Sequence, residues 1–332
     1  MQYKMLGDSG LDASIVGLGC WAIGGWLWGG CEHKDAVEAI KASIDNGVNL
    51  IDTAPAYGFG RSEEIVGDAI ASQRDKVIIA SKCGLVWHRQ SGEFYFHTDD
   101  QALTDKPSKY AVYKYLGADS IVYEVEQSLK RLKTDYIDLM QTHWQETTTP
   151  IAEVVEALQK LKQQGKIRSY GVSNVTVDHL VQYGPVASAQ QRFSMLYREN
   201  QKNGTLDYCH DNNIAVLAFS PMEKGLLTGK MGPDYKFGEK DLRLNDPLFS
   251  VASRTKINGM LANIKPIANA HKISLGQLVI AWTAQQKGIT HVLCGARNAK
   301  QAIENARAGD VLLNDEEIKM IDAQIQTVIK TS

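Results

Sequence analysis

Four polar side chains of types that can transfer protons lie at or just after the ends of predicted strands, and together they indicate which reaction this chain could catalyse. The segment IDTAPAYGFGRSEEIVG (51–67) begins with a buried strand that ends in Asp52, and Tyr57 follows in the next turn. An unpaired buried carboxylate costs several kcal/mol, so we expect Asp52 to meet a cation. Lys82 closes a second predicted strand and is the natural partner, while His143 closes a third.

This set of side chains suits the reduction of a carbonyl group by hydride, because the developing alkoxide needs a proton. A tyrosine beside a lysine ammonium can supply it: the ordinary pKa of tyrosine is about 10, and a nearby positive charge favours the phenolate. We therefore expect a lowered pKa for Tyr57, with Asp52 holding Lys82 and His143 binding the carbonyl oxygen. Each residue also has a structural interpretation, as an ion pair, a packed ring or a core histidine. Their convergence at strand ends favours catalysis.

Eight short apolar runs are the elements that must bring these residues together. They predict strands at residues 15–19, 49–52, 77–82, 136–143, 167–173, 186–190, 214–220 and 291–295, with amphipathic stretches between them. In the clearest stretch Thr149 can cap a helix, Pro150 takes the first helical position and Gly165 ends it. Strand and helix alternate with no linker between halves. This favours an α/β fold, one (β/α)8 TIM barrel spanning residues 1–332, over a two-domain dinucleotide fold.

Two connections are too long for simple strand-to-helix loops. Residues 84–119 contain QSGEFYFH (90–97), which we interpret as a small hairpin, and residues 230–255 form a polar loop containing glycine after the seventh strand. The carboxyl ends of all strands of a parallel barrel share one face. We expect extended loops at this C-terminal face to shape the substrate pocket.

Composition narrows the classes of partner. The chain has 332 residues and a formal charge of -2, which gives no reason to expect nucleic acid or an acidic membrane surface as a partner. The five cysteines are odd in number, with neither a CxxC pair nor zinc-like spacing, so we predict reduced thiols and no metal site. No apolar run approaches the roughly 20 residues of a membrane helix, and no signal peptide is visible. The expected location is the cytoplasm.

Six segments carry a resemblance to a known family: GLGCWAIGG, IDTAPAYGFGRSEEIVG, SLKRLKTDYIDLMQTHW, GKIRSYGVSN, GLLTGKM and GARNAKQAIEN. With them the chain resembles an aldo-keto reductase from end to end. It is most similar to the bacterial branch that includes inositol-operon and general-stress reductases and is related to the β subunits of voltage-gated potassium channels. The resemblance implies a (β/α)8 barrel and a catalytic tetrad on Asp52, Tyr57, Lys82 and His143.

The same matching implies an NADP(H) site. Ser173, Asn174 and Gln190 would bond the nicotinamide carboxamide, and Phe219 would stack on the ring. Residues 220–227 would wrap the pyrophosphate. At the start of the last helix of the barrel Arg297 suits a ribose 2′-phosphate. The cofactor-binding residues predicted in this way are Cys20, Trp21, Asp52, Ser173, Asn174, Gln190, Phe219, Ser220, Pro221, Met222, Gly225, Leu226, Lys230, Arg243, Gly295, Arg297, Gln301, Glu304 and Asn305.

The substrate is less constrained, because the departures from the family pattern lie near the predicted pocket. Gln145 replaces a common proline, Cys20 replaces a common threonine, and residues 105–117 look like added length. Tryptophans at the presumed active face, including Trp26 and Trp28, would line a cleft for a sugar face or an aromatic aldehyde, or else pack the barrel rim. The predicted substrate-binding residues are Trp21, Tyr57, Trp87, His143 and Trp144.

Three functions are compatible with the sequence. The first is a reductase acting on a small-molecule carbonyl compound. The second is a catabolic dehydrogenase that oxidises a sugar, cyclitol or other polyol, because one tetrad serves both directions and the cofactor ratio decides between them. The third is a redox-sensing module that binds a nicotinamide with little turnover. We expect neither a nucleic acid nor a membrane as partner, and both a monomer and a homo-oligomer are compatible with the sequence.

Overall fold

A computed structural model describes residues 1–25, 31–98, 110–238, 241 and 243–329. Its strands are β1 Tyr3–Met5, β2 Asp12–Ser14, β3 Val16–Gly19, β4 Leu50–Asp52, β5 Ile78–Cys83, β6 Leu85–Val86, β7 Glu93–Thr98, β8 Tyr110–Lys114, β9 Ile137–Thr142, β10 Ile167–Ser173, β11 Ser188–Arg192, β12 Ala215–Phe219 and β13 His291–Gly295. Its α-helices are α1 Trp21–Gly24, α2 His33–Asp45, α3 Arg61–Ile70, α4 Ala118–Leu132, α5 Ile151–Gln163, α6 Val177–Tyr183, α7 Glu199–Lys202, α8 Thr205–Asp211, α9 Val251–Ala270, α10 Leu275–Ala284, α11 Ala299–Arg307 and α12 Asp315–Ile329. Short 3-10 helices cover Gly7–Ser9, Arg74–Lys76, Leu226–Thr228, Pro247–Phe249 and Ala308–Asp310.

Eight of the strands close into a parallel barrel in the order β10-β11-β12-β13-β3-β4-β5-β9. They are the eight predicted strands, with ends shifted by one or two residues, and the predicted (β/α)8 barrel is confirmed. The antiparallel β1–β2 hairpin lies at the end of the barrel opposite to Asp52 and Lys82. Its neighbour Leu6 is fully buried in one cluster with the inward-pointing Leu50, Leu139 and Leu217, so this hairpin fills the N-terminal end of the barrel.

The helices pack their apolar faces on the outside of the barrel, as the sequence pattern predicts. In α5 Val154, Leu158 and Leu161 are buried at helical spacing. The predicted start of this helix was one residue early: Pro150 has the extended ψ of 133° and precedes the first helical residue. Gly165 follows the helix with a φ of 74°, the left-handed conformation that favours glycine at a helix end. In the part of the chain that the structure describes, no helix is long and apolar enough to span a membrane.

The first long connection forms a three-stranded antiparallel sheet in the order β6-β8-β7. The predicted hairpin within residues 90–97 was wrong, because those residues supply one strand, β7, whose partner β8 comes later in the chain. Residues 105–109 of the predicted added length lie outside the described residues. Val112 is 1% exposed and packs with Ala56, which directly precedes Tyr57, so this face of the sheet covers the barrel mouth.

The second long connection is shorter than predicted, because α9 already begins at Val251. Arg254 in the first turn of α9 is 4% exposed and donates to the carbonyl oxygens of Phe249 and Tyr235, at 3.0 Å in each case. The helix therefore holds this loop beside the C-terminal face.

Candidate active site

Strands β4 and β5 bring Asp52 and Lys82 together inside the barrel mouth. The Lys82 ammonium donates to both carboxylate oxygens of Asp52, at 2.7 and 2.8 Å, and to the carbonyl oxygen of Thr53 at 3.0 Å. It also lies 3.1 Å from the hydroxyl oxygen of Tyr57, so that its three N–H donors are shared among four acceptors. Lys82 is fully buried, and Asp52 is 3% exposed. The buried charge of Asp52 is thus balanced by Lys82, the partner predicted from the sequence.

Two glutamines complete the surroundings of Asp52. Gln190 in the middle of β11 donates to Asp52 Oδ2 at 2.7 Å, and Gln141 in β9 donates to the same oxygen at 3.5 Å. The side-chain oxygen of Gln141 accepts from Ser188 at 3.4 Å. The carboxylate is therefore held from three strands besides its own, and its geometry does not depend on Lys82 alone.

Burial and charge set the protonation states of the site. Burial raises the pKa of Tyr57, the Lys82 charge opposes this shift and the Asp52 charge adds to it, so the net direction is upward. The expectation of a lowered pKa was wrong, because the cost of burying a phenolate exceeds the stabilisation from Lys82. For Lys82, burial lowers the pKa, but Asp52 and Tyr57 together raise it above its ordinary value. Tyr57 is accordingly a neutral phenol beside a permanent ammonium.

The imidazole of His143 is the third group at the mouth. Its ring meets the Tyr57 ring edge to face, with centroids 5.8 Å apart. Burial, and then the Lys82 charge, lower the pKa of His143 well below its usual range, so the imidazole is neutral at physiological pH. A neutral imidazole carries no charge and can still donate a hydrogen bond to an oxygen through its N–H group. The Trp21 ring also lies near Tyr57, with the two ring centroids 6.4 Å apart.

The residues predicted to bond a carboxamide lie together at the ends of β10 and β11. Asn174 has a φ of 55°, and its side-chain amide donates to the His143 carbonyl at 3.0 Å and to Ser173 Oγ at 3.1 Å. Ser173 in turn donates to the Gln190 carbonyl at 3.0 Å. Ser173 and Gln190 are 1% and 2% exposed, whereas Asn174 and Phe219 are only partly buried. The four predicted positions therefore converge, with Asn174 and Phe219 offering the more accessible surfaces.

The predicted pyrophosphate segment, residues 220–227, is a tight run of turns anchored by a buried carboxylate. Glu223 is 1% exposed and accepts from Arg192 at 2.7 Å and from Ser194 at 2.6 Å. The amides of Glu223, Gly225, Leu226 and Leu227 all donate to carbonyl oxygens of this same segment. Those four amides are not available to a phosphate in this conformation, which leaves Ser220, Met222 and Lys224 as the amides that could take part.

Two of the predicted cofactor-binding residues have no exposed surface in this structure. Cys20 and Leu226 are each 0% exposed. The amide of Cys20 donates to Asp52 O at 2.8 Å, its carbonyl accepts from Ser62 at 3.0 Å, and the amide of Leu226 donates to Glu223 O at 3.0 Å. Both residues are parts of the supporting framework.

The predicted phosphate cations differ in how firmly they are already paired. Arg243 is bound to Asp241, with Nη2 to Oδ2 at 2.6 Å and Nε to Oδ1 at 2.8 Å, and it also donates to the Lys224 carbonyl. Lys230 lies 3.9 Å from Glu304. Arg297 is exposed and forms no ion pair with any of the described residues. It adds to the lowered pKa of Asp241, for which the hydrogen bond from Arg243 is the largest cause. The segment that contains Asp241 and Arg243 and the segment that contains Arg297 are therefore neighbours.

The turn before α11 is built around its own side chains. Asn298 caps the helix by accepting from the Gln301 amide at 3.0 Å, and the Gln301 side chain accepts from the Arg297 amide at 2.9 Å. Asn305 donates to the Gly295 carbonyl at 3.0 Å, and Glu304 accepts from Ser274 at 2.7 Å.

Gly295 and Gly19 lie opposite each other at the ends of β13 and β3. A Cβ added at Gly295 would find only one atom within 4 Å, Gly19 O at 3.8 Å. The strand ends are thus open between the Tyr57 site and Arg297, which fits an extended dinucleotide laid along this edge. Within the described ranges, no cluster of three or more His, Cys, Asp or Glu residues could hold a metal ion.

The predicted substrate tryptophans belong to an aromatic cluster over the mouth. Trp87 packs edge to face on Phe59 at 5.1 Å, and Trp144 lies 5.9 Å from Tyr95 of β7. Trp26 and Trp28 lie outside the described residues. The structure brings Trp21, Trp87 and Trp144 to the same end of the barrel as Tyr57 and His143, so the predicted cleft remains a prediction with consistent geometry.

Comparison with known proteins assigns the class that this fold and site suggest. The family model described as "Aldo/keto reductase family" matches residues 15–326, and the chain belongs to this family. It is 37% identical over 338 residues to the aldo-keto reductase YhdN of Bacillus subtilis, with 99% of this chain and 95% of the relative covered. It is 39% identical over 319 residues to the NADH-specific methylglyoxal reductase of Escherichia coli, with 93% and 94% covered.

A solved structure agrees in fold. The glycerol dehydrogenase of Gluconobacter oxydans superposes with a TM-score of 0.86 at 36% sequence identity, covering 98% of this chain and 95% of that chain. The resemblance inferred from the motifs is thereby confirmed.

Sequence reasoning missed the residues that support the tetrad. Gln141 is fully buried in β9, and a polar side chain within a buried strand is the signal that could have found it. Glu124 accepts from the Gly84 amide with both carboxylate oxygens, at 3.1 and 3.0 Å, just after Lys82 and Cys83. It lies on the buried side of an amphipathic helix, where a glutamate is unexpected.

Proposed function

We propose that this chain is an NADP(H)-dependent oxidoreductase that interconverts an aldehyde, ketose or sugar and the corresponding alcohol, with Tyr57 as general acid and base. The observation that carries the proposal is the buried Lys82 ammonium, which joins the Asp52 carboxylate to the Tyr57 hydroxyl at 3.1 Å. A cation held in this way beside a phenol stabilises the phenolate that remains after proton transfer.

When bound, the nicotinamide supplies or accepts the hydride. The chain's own residues handle the proton. In reduction, the Tyr57 hydroxyl donates its proton to the carbonyl oxygen, while neutral His143 donates a hydrogen bond that orients the same oxygen. Lys82 then lies next to the phenolate, and Asp52 keeps the ammonium in place. In oxidation the phenolate removes the proton from the alcohol. Asn174 and Phe219 would orient the nicotinamide, and Ser220, Met222 and Lys224 would donate amides to the pyrophosphate.

Support for the phosphorylated cofactor comes from Arg297. Its guanidinium is exposed at the start of α11, where it can bind a 2′-phosphate through two parallel hydrogen bonds. Arg243 is a weaker candidate, because Asp241 already binds it. The name of the NADH-specific relative in E. coli makes NADH the competing choice.

The physiological substrate and direction are open to direct assay. The names of the relatives suggest methylglyoxal and glycerol as first candidates, one for each direction. We place the protein in the cytoplasm, with support from its five cysteines, all of which are free. A redox-sensing module with little turnover is the competing function, although a buried proton donor beside a fixed ammonium serves turnover and not binding alone.

The test is to follow absorbance of the reduced nicotinamide in both directions. NADPH and NADH are assayed with methylglyoxal, glyceraldehyde and aromatic aldehydes, and NADP+ and NAD+ with glycerol, sugars and inositols. We expect turnover with NADPH and at least one aldehyde. Because oxidation needs the Tyr57 phenolate, the oxidation rate should rise with pH over the range in which the reduction rate falls. Tight NADPH binding without turnover in either direction would instead favour the sensing module.

A further inference from the structure

Lys114, the last residue of β8, places a cation beside two neighbouring aromatic rings at the barrel mouth. Its ammonium nitrogen lies 4.7 Å from the centroid of the Tyr95 ring and 5.0 Å from that of the Trp144 ring. The two rings are themselves 5.9 Å apart. Aromatic faces attract the cation and also exclude part of its water, so its charge acts more strongly on a third group than that of a fully solvated lysine.

The position of Lys114 in the sheet directs it toward the catalytic residues. Side chains alternate between the two faces of a strand, so Tyr110, Val112 and Lys114 share one face. Val112 packs on Ala56, and the Tyr110 ring lies 4.5 Å from that of Phe59, so this is the face that covers the barrel mouth.

Trp144 connects the cation with the proposed catalytic site. It directly follows His143, whose ring lies 5.8 Å from that of Tyr57. The ammonium therefore lies beside the ring of the residue that directly follows His143. A molecule whose carbonyl group is held by Tyr57 and His143 can direct a group at its other end toward Lys114.

The nearest carboxylate is engaged elsewhere. Glu93 is opposite Lys114 in the β7–β8 register, but its Oε1 accepts from the amide of Thr147 at 2.7 Å and from the Thr147 hydroxyl at 2.5 Å. The described part of the chain provides no ion pair for Lys114. The Lys114 charge contributes to lowering the pKa of Glu93, after the hydrogen bonds from Thr147, but the two side chains do not form an ion pair. The ammonium therefore keeps N–H donors for a further anion.

We propose that Lys114 is a specificity-determining residue that binds an anionic group, a carboxylate or a phosphate, on the carbonyl substrate. This inference rests on the proposed oxidoreductase function and adds a substrate class to it. The rings of Tyr95 and Trp144 hold the ammonium from one side, so that its N–H donors on the other side point into the mouth and meet the anion.

The test compares anionic and neutral aldehydes in two pairs, of which the first is nearly identical in shape and the second differs by a phosphate group. The first pair is 4-formylbenzoate and the neutral 4-formylbenzamide, and the second is glyceraldehyde 3-phosphate and glyceraldehyde. We expect the wild type to favour the anion of at least one pair by about tenfold in kcat/KM. In Lys114→Met this preference should fall about tenfold, mainly through KM of the anionic member, because the lost contact is made equally in the bound and transition states.

Two variants control for structure and net charge. Lys114→Arg keeps the cation and should retain most of the preference. Lys41→Met removes an exposed lysine on the outer helix α2 and should leave it intact. Equal losses for both members of a pair in Lys114→Met would show that the residue only supports the sheet and would overturn the proposal. An unchanged preference in that variant would overturn it as well.

A binding measurement separates this inference from the proposed reaction. Binding of 4-formylbenzoate, followed by quenching of tryptophan fluorescence, requires no turnover. We expect Lys114→Met to weaken binding about tenfold relative to wild type. Absence of turnover with all four substrates would count against the oxidoreductase function alone, whereas unchanged binding of 4-formylbenzoate in the variant would refute the anion site.

Discussion

At the scale of single residues, Asp52 determines what Lys82 can do. The carboxylate is the main cause that raises the pKa of Lys82 against the opposing effect of burial. It also receives hydrogen bonds from Gln190 and Gln141, which stand 138 and 89 residues away in the chain. Asp52 and Lys82 could be paired from the sequence because each ends a predicted strand. The two glutamines could not, since only barrel closure brings their strands to the same carboxylate.

Asp52→Asn tests this dependence. In the wild type the Asp52 carboxylate raises the pKa of Lys82 against the lowering effect of burial. Without the carboxylate this pKa falls, so the ammonium loses its proton at a lower pH than in the wild type. We expect a lower kcat at neutral pH and a shift of the alkaline limb of the reduction profile toward lower pH. The measurement is kcat against pH for both proteins. An unchanged rate with an unchanged limb would mean that the pair is only structural.

Arg297 is the residue on which the cofactor preference should depend. A 2′-phosphate carries close to two negative charges and NADH lacks it, so an arginine that grips this group discriminates by about 1.5–3 kcal/mol, or about ten- to a hundredfold. In Arg297→Ala we expect NADPH binding to weaken at least about tenfold while NADH binding changes little, as measured by fluorescence quenching.

The matched control is Arg307→Ala, which removes an exposed arginine at the far end of the same helix and should affect neither cofactor. Equal losses of NADPH and NADH in Arg297→Ala would assign the residue to the shared pyrophosphate. Tighter binding of NADH than of NADPH by the wild type would contradict the proposed phosphate site.

At the scale of elements, regular strands were predictable and the added sheet was not. The barrel strands are short apolar runs with clear flanking signals, so all eight were found. Residues 90–97 carry the aromatic pattern of a strand, but the sequence does not show which segment pairs with it, and its partner β8 begins only at Tyr110. The upward pKa shift of Tyr57 was missed for a related reason, because a neighbouring charge is visible in the sequence and the depth of burial is not.

The buried carboxyl of Glu124 ties α4 to the start of this added sheet and makes the contact pH-dependent. Burial raises its pKa to about 8, in spite of the hydrogen bonds from Gly84 and Ser120, and the nearby Glu63 adds to the shift while Arg131 opposes it. The pKa in the folded state therefore exceeds the ordinary value of 4.5. The stability that this carboxyl contributes is fully present below about pH 4.5 and is lost as pH rises through about 8.

We expect Glu124→Gln to remove this loss, because glutamine stays neutral and can still accept from the Gly84 amide. The stability difference between variant and wild type should move in favour of the variant by about 1.4 kcal/mol per pH unit across the middle of this window, where the carboxyl is ionised in the unfolded state and still protonated in the folded state. Urea unfolding at a series of pH values measures it, with the exposed Glu156→Gln on α5 as the control. Parallel pH dependence of all three proteins would contradict the raised pKa.

At the scale of the whole molecule, the two ends of the barrel have separate tasks. The C-terminal end carries the tetrad, and the N-terminal end carries a buried ionic network around Asp138. This carboxylate has 1% side-chain exposure and accepts from Arg74 at 2.7 Å, from Arg168 at 3.0 Å and from the Ile79 amide at 2.9 Å. The ring of Tyr136 lies 4.0 Å from each of the two guanidinium groups. The network therefore joins β5, β9 and β10 far from the proposed chemistry.

Asp138→Asn should lower the free energy of unfolding by about 2–4 kcal/mol, because it leaves two arginines without their carboxylate, although Arg168 is half exposed and its share is correspondingly small. The kcat at a temperature where the variant is still folded should stay near the wild-type value. Denaturant unfolding and steady-state kinetics measure the two effects. Asp135→Asn, an exposed neighbour, should change neither. A large loss of kcat in folded Asp138→Asn would contradict the separation of the two ends.

The most direct test of the proposed function is Tyr57→Phe, which removes one oxygen atom and keeps the ring that meets His143 and Trp21. If the phenol supplies the proton, kcat for aldehyde reduction should fall by about 10²–10⁴-fold, while the dissociation constant for NADPH stays within about twofold of wild type. The measurement is single-turnover reduction of an aldehyde with bound NADPH. A variant that keeps more than about a tenth of the wild-type rate would contradict the role of Tyr57 as proton donor.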